Sequence, residues 1–126
     1  DIICDPILTC QGSCWFISKE LFHRLGLMRT EGYGGWGAEA EEMVFEVYRA
    51  GGTARVLKGD CWYAHLHKGR TYGRMYTLNH AERHASYAYS YQLWVNERRD
   101  FFTSMIERFA PLPGWPDNWK EQLWRP

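Results

Sequence analysis

The sequence predicts an α/β domain over residues 1–72 that runs into a helical extension over residues 73–126. Three observations predict it. Extended, apolar stretches at 1–17 and from Thr53 to Ala64 flank a region of helical spacing, as mixed α/β chains do. Glycines punctuate the first half at 26, 32, 34, 35, 37, 51 and 52. Residues 77–109 contain neither Gly nor Pro and repeat their apolar positions at helical intervals.

Each element follows from local signals. Pro6 and Gln11-Gly12 break the first extended stretch. Ser18 suits a helix N-cap, with Glu20 in the first turn, where the helix dipole favours negative charge. Leu21, Phe22 and Leu25 form the apolar stripe and Gly26 suits the C′ position, so a helix is expected at 18–25. Residues Glu31 to Gly37 hold four glycines in six positions and read as a loop open to close backbone approach. A second helix is expected from about Ala38, with Met43, Val44, Val47 and Tyr48 packed inward and Gly51-Gly52 at its end. Thr53 to Ala64 reads as a strand with Val56, Trp62 and Tyr63 as packing residues. Residues 77–109 read as one long helix or two in series, with Phe101, Phe102, Met105, Ile106 and Phe109 marking the apolar face. Pro111 to Pro116 reads as an extended strap followed by a short polar segment.

Composition narrows the function classes. Fifteen basic and fifteen acidic residues leave no net charge, which argues against a basic nucleic-acid-binding surface. No run of about 18 apolar residues is present, so no membrane span is expected. The four cysteines at 4, 10, 14 and 61 are too sparse for a disulfide framework. Reduced thiols and the lack of a signal-peptide pattern at Asp1 to Asp5 point to a cytoplasmic protein whose beginning lies upstream.

Three clusters carry candidate chemistry. In Gly35-Trp36-Gly37-Ala38-Glu39-Ala40-Glu41-Glu42, a flexible loop presents a large ring and a helix opens with three carboxylates. Glu39 and Glu42 share a helix face, while Glu41 points elsewhere. Acids there can handle a hydroxyl proton, or can simply be stabilised by the helix dipole. In Ala64-His65-Leu66-His67-Lys68-Gly69-Arg70, the two imidazoles fall on one face of a strand and can bind a metal, or can be ordinary surface residues. Lys68 and Arg70 add positive charge where a diphosphate can sit. Cys10-x3-Cys14 with Cys61-x3-His65 has spacing compatible with structural zinc, or with buried apolar cysteines.

Taken in order, Gln11 to Ile17, Phe22-x2-Leu25-Gly26, Trp36-Gly37-Ala38-Glu39, Gly51-Gly52 and Ala64-His65 resemble the second half of a glycosyltransferase family 2 domain of the GT-A type. The layout is most similar to that of polypeptide N-acetylgalactosaminyltransferases and β-1,4-galactosyltransferases, with bacterial and phage relatives; it covers Thr9 to Arg70. The resemblance implies that residues 1–72 are the acceptor-side half of a sugar-nucleotide transferase. Gly35, Trp36 and Gly37 would then lie against the substrates, and Glu39 would hold the family's acidic position. Many inverting members carry their base, an Asp, where this chain has Ala40, so Glu41 or Glu42 is expected to substitute. His65, with His67 beside it, would help hold Mn²⁺ or Mg²⁺ on the donor diphosphate; Lys68 and Arg70 would meet its phosphates and Tyr72 would help close the site. The family's Asp-x-Asp is absent from these 126 residues, so the other metal ligands are expected from an N-terminal half. The expected partners are a nucleotide-diphosphate sugar donor and a carbohydrate or other hydroxyl acceptor. Two other classes compete: a non-catalytic carbohydrate-binding or interaction module built on the aromatics, and a small zinc-binding domain built on the Cys/His set.

Overall fold

The computed structural model describes residues 3–34, 37–65 and 79–125. Two short strands, β1 (Cys4–Pro6) and β2 (Arg55–Leu57), pair antiparallel with Asp5 opposite Val56. Backbone bonds from Ile7 to Ala54 (3.0 Å) and from Lys58 to Ile3 (2.8 Å) extend the pairing by a residue at each end. Asp5 and Lys58 add an exposed ion pair across it. A two-stranded ribbon is marginal alone, so helices carry the packing.

Helix α1 (Lys19–Leu25) forms as its local signals predict. The Leu21 N–H donates to Ser18 Oγ at 3.1 Å, and Gly26 takes the left-handed conformation at φ 60°. Bonds from Leu27 N–H to Phe22 O and from Gly26 N–H to His23 O close a Schellman end, and Leu27 is buried beside it.

Helix α2 (Glu39–Arg49) is the centre of the molecule. Its buried residues are Ala40, Glu42, Met43, Val44, Phe45, Glu46 and Tyr48, which occupy far more than one stripe. A helix covered on most of its circumference is a core helix rather than a surface one. Val47, expected to face inward, is only half-buried.

Helix α3 (His80–Ser90) starts on Asn79, whose side chain accepts the N–H groups of Ala81 and Glu82. It continues into a π-helical segment, Tyr91–Glu97, and then helix α4 (Arg99–Phe109). One long helix or two in series were expected; the wider π turn between two was not. It buries Trp94 to 1% exposure against Phe45, with ring centres 5.1 Å apart, and gives its indole N–H to Tyr33 Oη at 2.8 Å. The tail returns through a short helix, α5 (Trp119–Leu123), and Trp124 donates its indole N–H to Val95 O at 3.1 Å.

The main core therefore joins Val44, Phe45 and Tyr48 of α2 to Trp94, Val95, Phe102, Met105 and Ile106. It spans the boundary at 72/73 that the sequence suggests. The strand expected from Thr53 to Ala64 is corrected: pairing ends at Leu57, and Gly59 turns the chain at φ 97°. Val56, Trp62 and Tyr63, expected to pack, are 37%, 86% and 48% exposed. No helix among the described residues is long and apolar enough to cross a membrane.

Trp94→Ala should lower stability by about 3–5 kcal/mol, because it removes a fully enclosed ring. Phe16→Ala, at a ring 95% exposed, should stay within about 0.5 kcal/mol. Urea midpoints for the two variants at unchanged m-value check this contrast.

Candidate functional site

The site is built where the glycine loop enters α2. Ala38 at the N-cap has no side chain to satisfy the helix N-H groups, and two neighbours compensate. Glu39 folds back so that its Oε2 accepts the Gly37 N–H at 2.8 Å, and the Ala38 N–H donates to Ser86 Oγ on α3 at 3.3 Å. Ser86 is fully buried against this turn. A Cβ on Gly37 would stand 2.2 Å from Ser86 Oγ, so glycine is required here by contact. At the other end of the loop a Cβ on Gly32 would fall 2.4 Å from the Tyr89 ring.

Glu39 lines a small cleft of about 100 Å³ together with Met28, Arg29, Thr30, Tyr33 and Gly37. The chain reaches it through Met28, a non-glycine residue at φ 60°, a conformation that costs about 1–2 kcal/mol and is held by its surroundings. Arg29 follows. Its Nε donates to Glu42 Oε1 at 2.5 Å and its Nη2 to Glu46 Oε1 at 3.3 Å. Glu46 also receives Arg49 at 2.7 Å and Arg98 at 3.0 Å.

The two buried carboxylates behave differently. Burial pushes the Glu42 carboxyl up, and the Arg29 hydrogen bond offsets only part of this; Oε2 has no partner among the described residues. Burial acts on Glu46 too, but hydrogen bonds from Arg49 and Arg98 outweigh it and hold that carboxyl below the ordinary value. Tyr33 is buried, which pushes its phenol up, while its oxygen accepts the Trp94 N–H.

The other expected residues distribute as follows. Glu42 is enclosed at 0% exposure behind Arg29, away from the open cleft. Glu41 is half-buried beside Cys10, whose thiol is pushed up by burial and then by the Glu41 charge. Cys10 Sγ lies 3.7 Å from Ala40 O. His65 is exposed. Its segment is tied to the loop at 11–13, since Tyr63 Oη donates to Gln11 Oε1 at 2.5 Å and lies 2.9 Å from Ser13 Oγ. Gly12 of that loop lies near Glu39, whose Oε1 would be 3.6 Å from a Cβ placed on the glycine. One short loop thus runs near Glu39 and is bonded to the segment bearing His65. Gly35, Trp36, His67, Lys68, Arg70 and Tyr72 lie outside the described residues. Among the described residues no three His, Cys, Asp or Glu side chains gather as a metal site, and Cys4, Cys10, Cys14 and Cys61 are free thiols.

Arg29, Tyr33, Glu46 and Ser86 were not singled out by sequence. One signal pointed to the first and third. Glu42 and Glu46, at i and i+4, fall among Met43, Val44, Phe45 and Tyr48, and carboxylates buried with such neighbours require cations inside the fold. Compared with known proteins, the chain matches no family model, no curated protein and no solved structure.

These contacts support three predictions. Gly37→Ala should cost about 1–3 kcal/mol by thermal or urea unfolding, and Ser86→Gly in the same chain should recover part of it. For Glu46, the lowered carboxyl contributes stability that is present above the unfolded value of about 4.3 and is lost as pH falls through the folded value. Glu46→Gln should therefore cost about 1.5–3 kcal/mol at pH 7, with the gap to wild type closing toward pH 3. Glu42 has the opposite sign: its contribution is complete below about 4.3 and fades as pH rises through the raised folded value. Glu42→Gln should gain on wild type between pH 4 and pH 7 in the same denaturation series.

Proposed function

We propose that the chain is the acceptor side of a nucleotide-sugar-dependent glycosyltransferase of the GT-A type, with Glu39 acting on the acceptor hydroxyl. One observation carries the reading. Of the three acids that open α2, Glu39 is the one that lines a cleft, and the Gly37 N–H fixes one of its oxygens. A carboxylate held in place and reached from solvent is what a general base needs.

In this reading Glu39 takes the proton of the acceptor hydroxyl as its oxygen attacks the anomeric carbon of the donor sugar. The bond from that carbon to the nucleotide diphosphate breaks, and the diphosphate leaves with the electron pair. Gly35, Trp36 and Gly37 flank the substrates, with Trp36 offering a stacking face for a sugar ring. Lys68 and Arg70 face the phosphates and Tyr72 covers the site. Glu41 and Glu42 are the alternative bases that the resemblance allows; the enclosure of Glu42 and the position of Glu41 beside Cys10 favour Glu39. The family's Mn²⁺ or Mg²⁺ would be held by His65 and His67 with carboxylates from an Asp-x-Asp segment. The described residues do not form that site by themselves, because a hard divalent cation requires several oxygen ligands.

A non-catalytic sugar-binding module is favoured by a different observation: Phe16 and Trp62 expose 95% and 86% of their surface, as stacking platforms do. The two readings separate on one pair of variants. In the transferase joined to its Asp-x-Asp half, Glu39→Gln should lower kcat about 100-fold or more with little change in KM, followed by release of nucleoside diphosphate in the presence of sugar acceptors. In a binding module Glu39→Gln leaves sugar affinity intact and Trp62→Ala removes it. Calorimetric titration of the 126-residue chain with nucleoside diphosphate and Mn²⁺ should show no micromolar binding. Tight binding there means that the donor site needs no Asp-x-Asp half.

A further inference from the structure

We infer that the cleft beside Glu39 binds an acidic group of the acceptor, a carboxylate or a phosphate, and that Arg29 is the residue that recognises it. The word acceptor rests on the transferase reading above; the chemistry of the ligand rests on the cleft alone.

Arg29 is half-buried, with 35% of its side chain exposed, and it lines the cleft while being gripped from behind. Its Nε and Nη2 are committed to Glu42 and Glu46, and its Nη1 has no partner among the described residues. A guanidinium fixed on one edge and open on another is preorganised for an oxyanion, because its fork does not have to be ordered when the ligand arrives. Behind it Glu46 also takes Arg49 and Arg98, so Arg29 does not offset that carboxylate alone, and Glu42 carries an oxygen with no hydrogen-bond donor.

Size supports a small group. About 100 Å³ is the space of about three water molecules, suited to a carboxylate or phosphate head rather than a whole sugar ring. The Glu39 carboxylate in the same cleft repels an anion placed against it, so the acid must lie at the Arg29 end while a hydroxyl faces Glu39. That polarity orients the acceptor.

The test is a titration of the isotope-labelled 126-residue chain, followed by NMR, with glucuronate, glucose 6-phosphate and glucose as separate probes. At least one acid should bind about ten-fold more tightly than glucose and shift the Arg29 Nε–H and Gly37 amide signals. Glucuronate alone assigns a carboxylate ligand, and glucose 6-phosphate alone a phosphate. Arg29→Gln by itself strands the buried Glu42 charge and threatens the fold, so the variant is Arg29→Gln with Glu42→Gln, confirmed folded by its circular dichroism. It should bring acid binding down to the level of glucose. Acids that bind no better than glucose, or an acid preference that survives the double variant, overturn the inference. Acid binding with no sugar transfer when the chain is joined to an Asp-x-Asp donor half sinks the transferase reading alone; transfer by that joined protein to neutral acceptors with no acid preference sinks this inference alone.

Discussion

Two glutamates buried along α2 set the terms for the whole molecule. Removing a carboxylate from water costs several kcal/mol unless cations and hydrogen bonds replace the lost hydration. Glu46 meets that requirement with three guanidinium groups drawn from three places: Arg29 after α1, Arg49 at the end of α2 and Arg98 at the start of α4. Such a node adds little net stability over an apolar packing of the same volume. What it does is fix register. Sliding α4 along α2 by one turn would remove Arg98 from Glu46. The aromatic core then packs around a geometry already chosen by charge.

The parts legible in sequence are those whose cause is local. Ser18 and Gly26 mark the ends of α1 because capping is decided within a few residues, and both act as their chemistry dictates. Gly51, at φ 80°, ends α2 for the same reason. The strand from Thr53 failed at Gly59, where positive φ interrupts a run whose alternation looked continuous. Trp62 and Tyr63 were then assigned to a core they never reach. The π turn at Tyr91–Glu97 was illegible because its cause is tertiary: it follows from where Trp94 must sit to meet Phe45 and Tyr33.

The glycine loop shows how a correct reading can rest on the wrong cause. Its glycines suggested freedom and close approach of a ligand. At Gly32 and Gly37 the close approach is made by α3, through Tyr89 and Ser86. The two flanks of the loop are therefore clamped to the same helix rather than loose. Between the clamps Gly34 takes the left-handed conformation at φ 68°. Clamping matters for Glu39, because the Gly37 N–H that orients its carboxylate is itself held in place by the Ser86 contact. Site geometry and core packing meet in one pair of residues, and neither was separable from the other in the sequence.

Division of labour among the carboxylates then follows from environment rather than spacing. Glu39 and Glu42 lie one helical turn apart and look equivalent as a pattern. Glu42 is sealed from solvent, and burial raises its affinity for a proton. Its contact with the cleft is made through Arg29, which stands between the two. Glu39, turned toward the opening and held by a backbone N–H, is the acid that can touch a ligand. One helix turn thereby separates an acid that lines the cleft from an acid sealed behind Arg29, a residue from outside the helix.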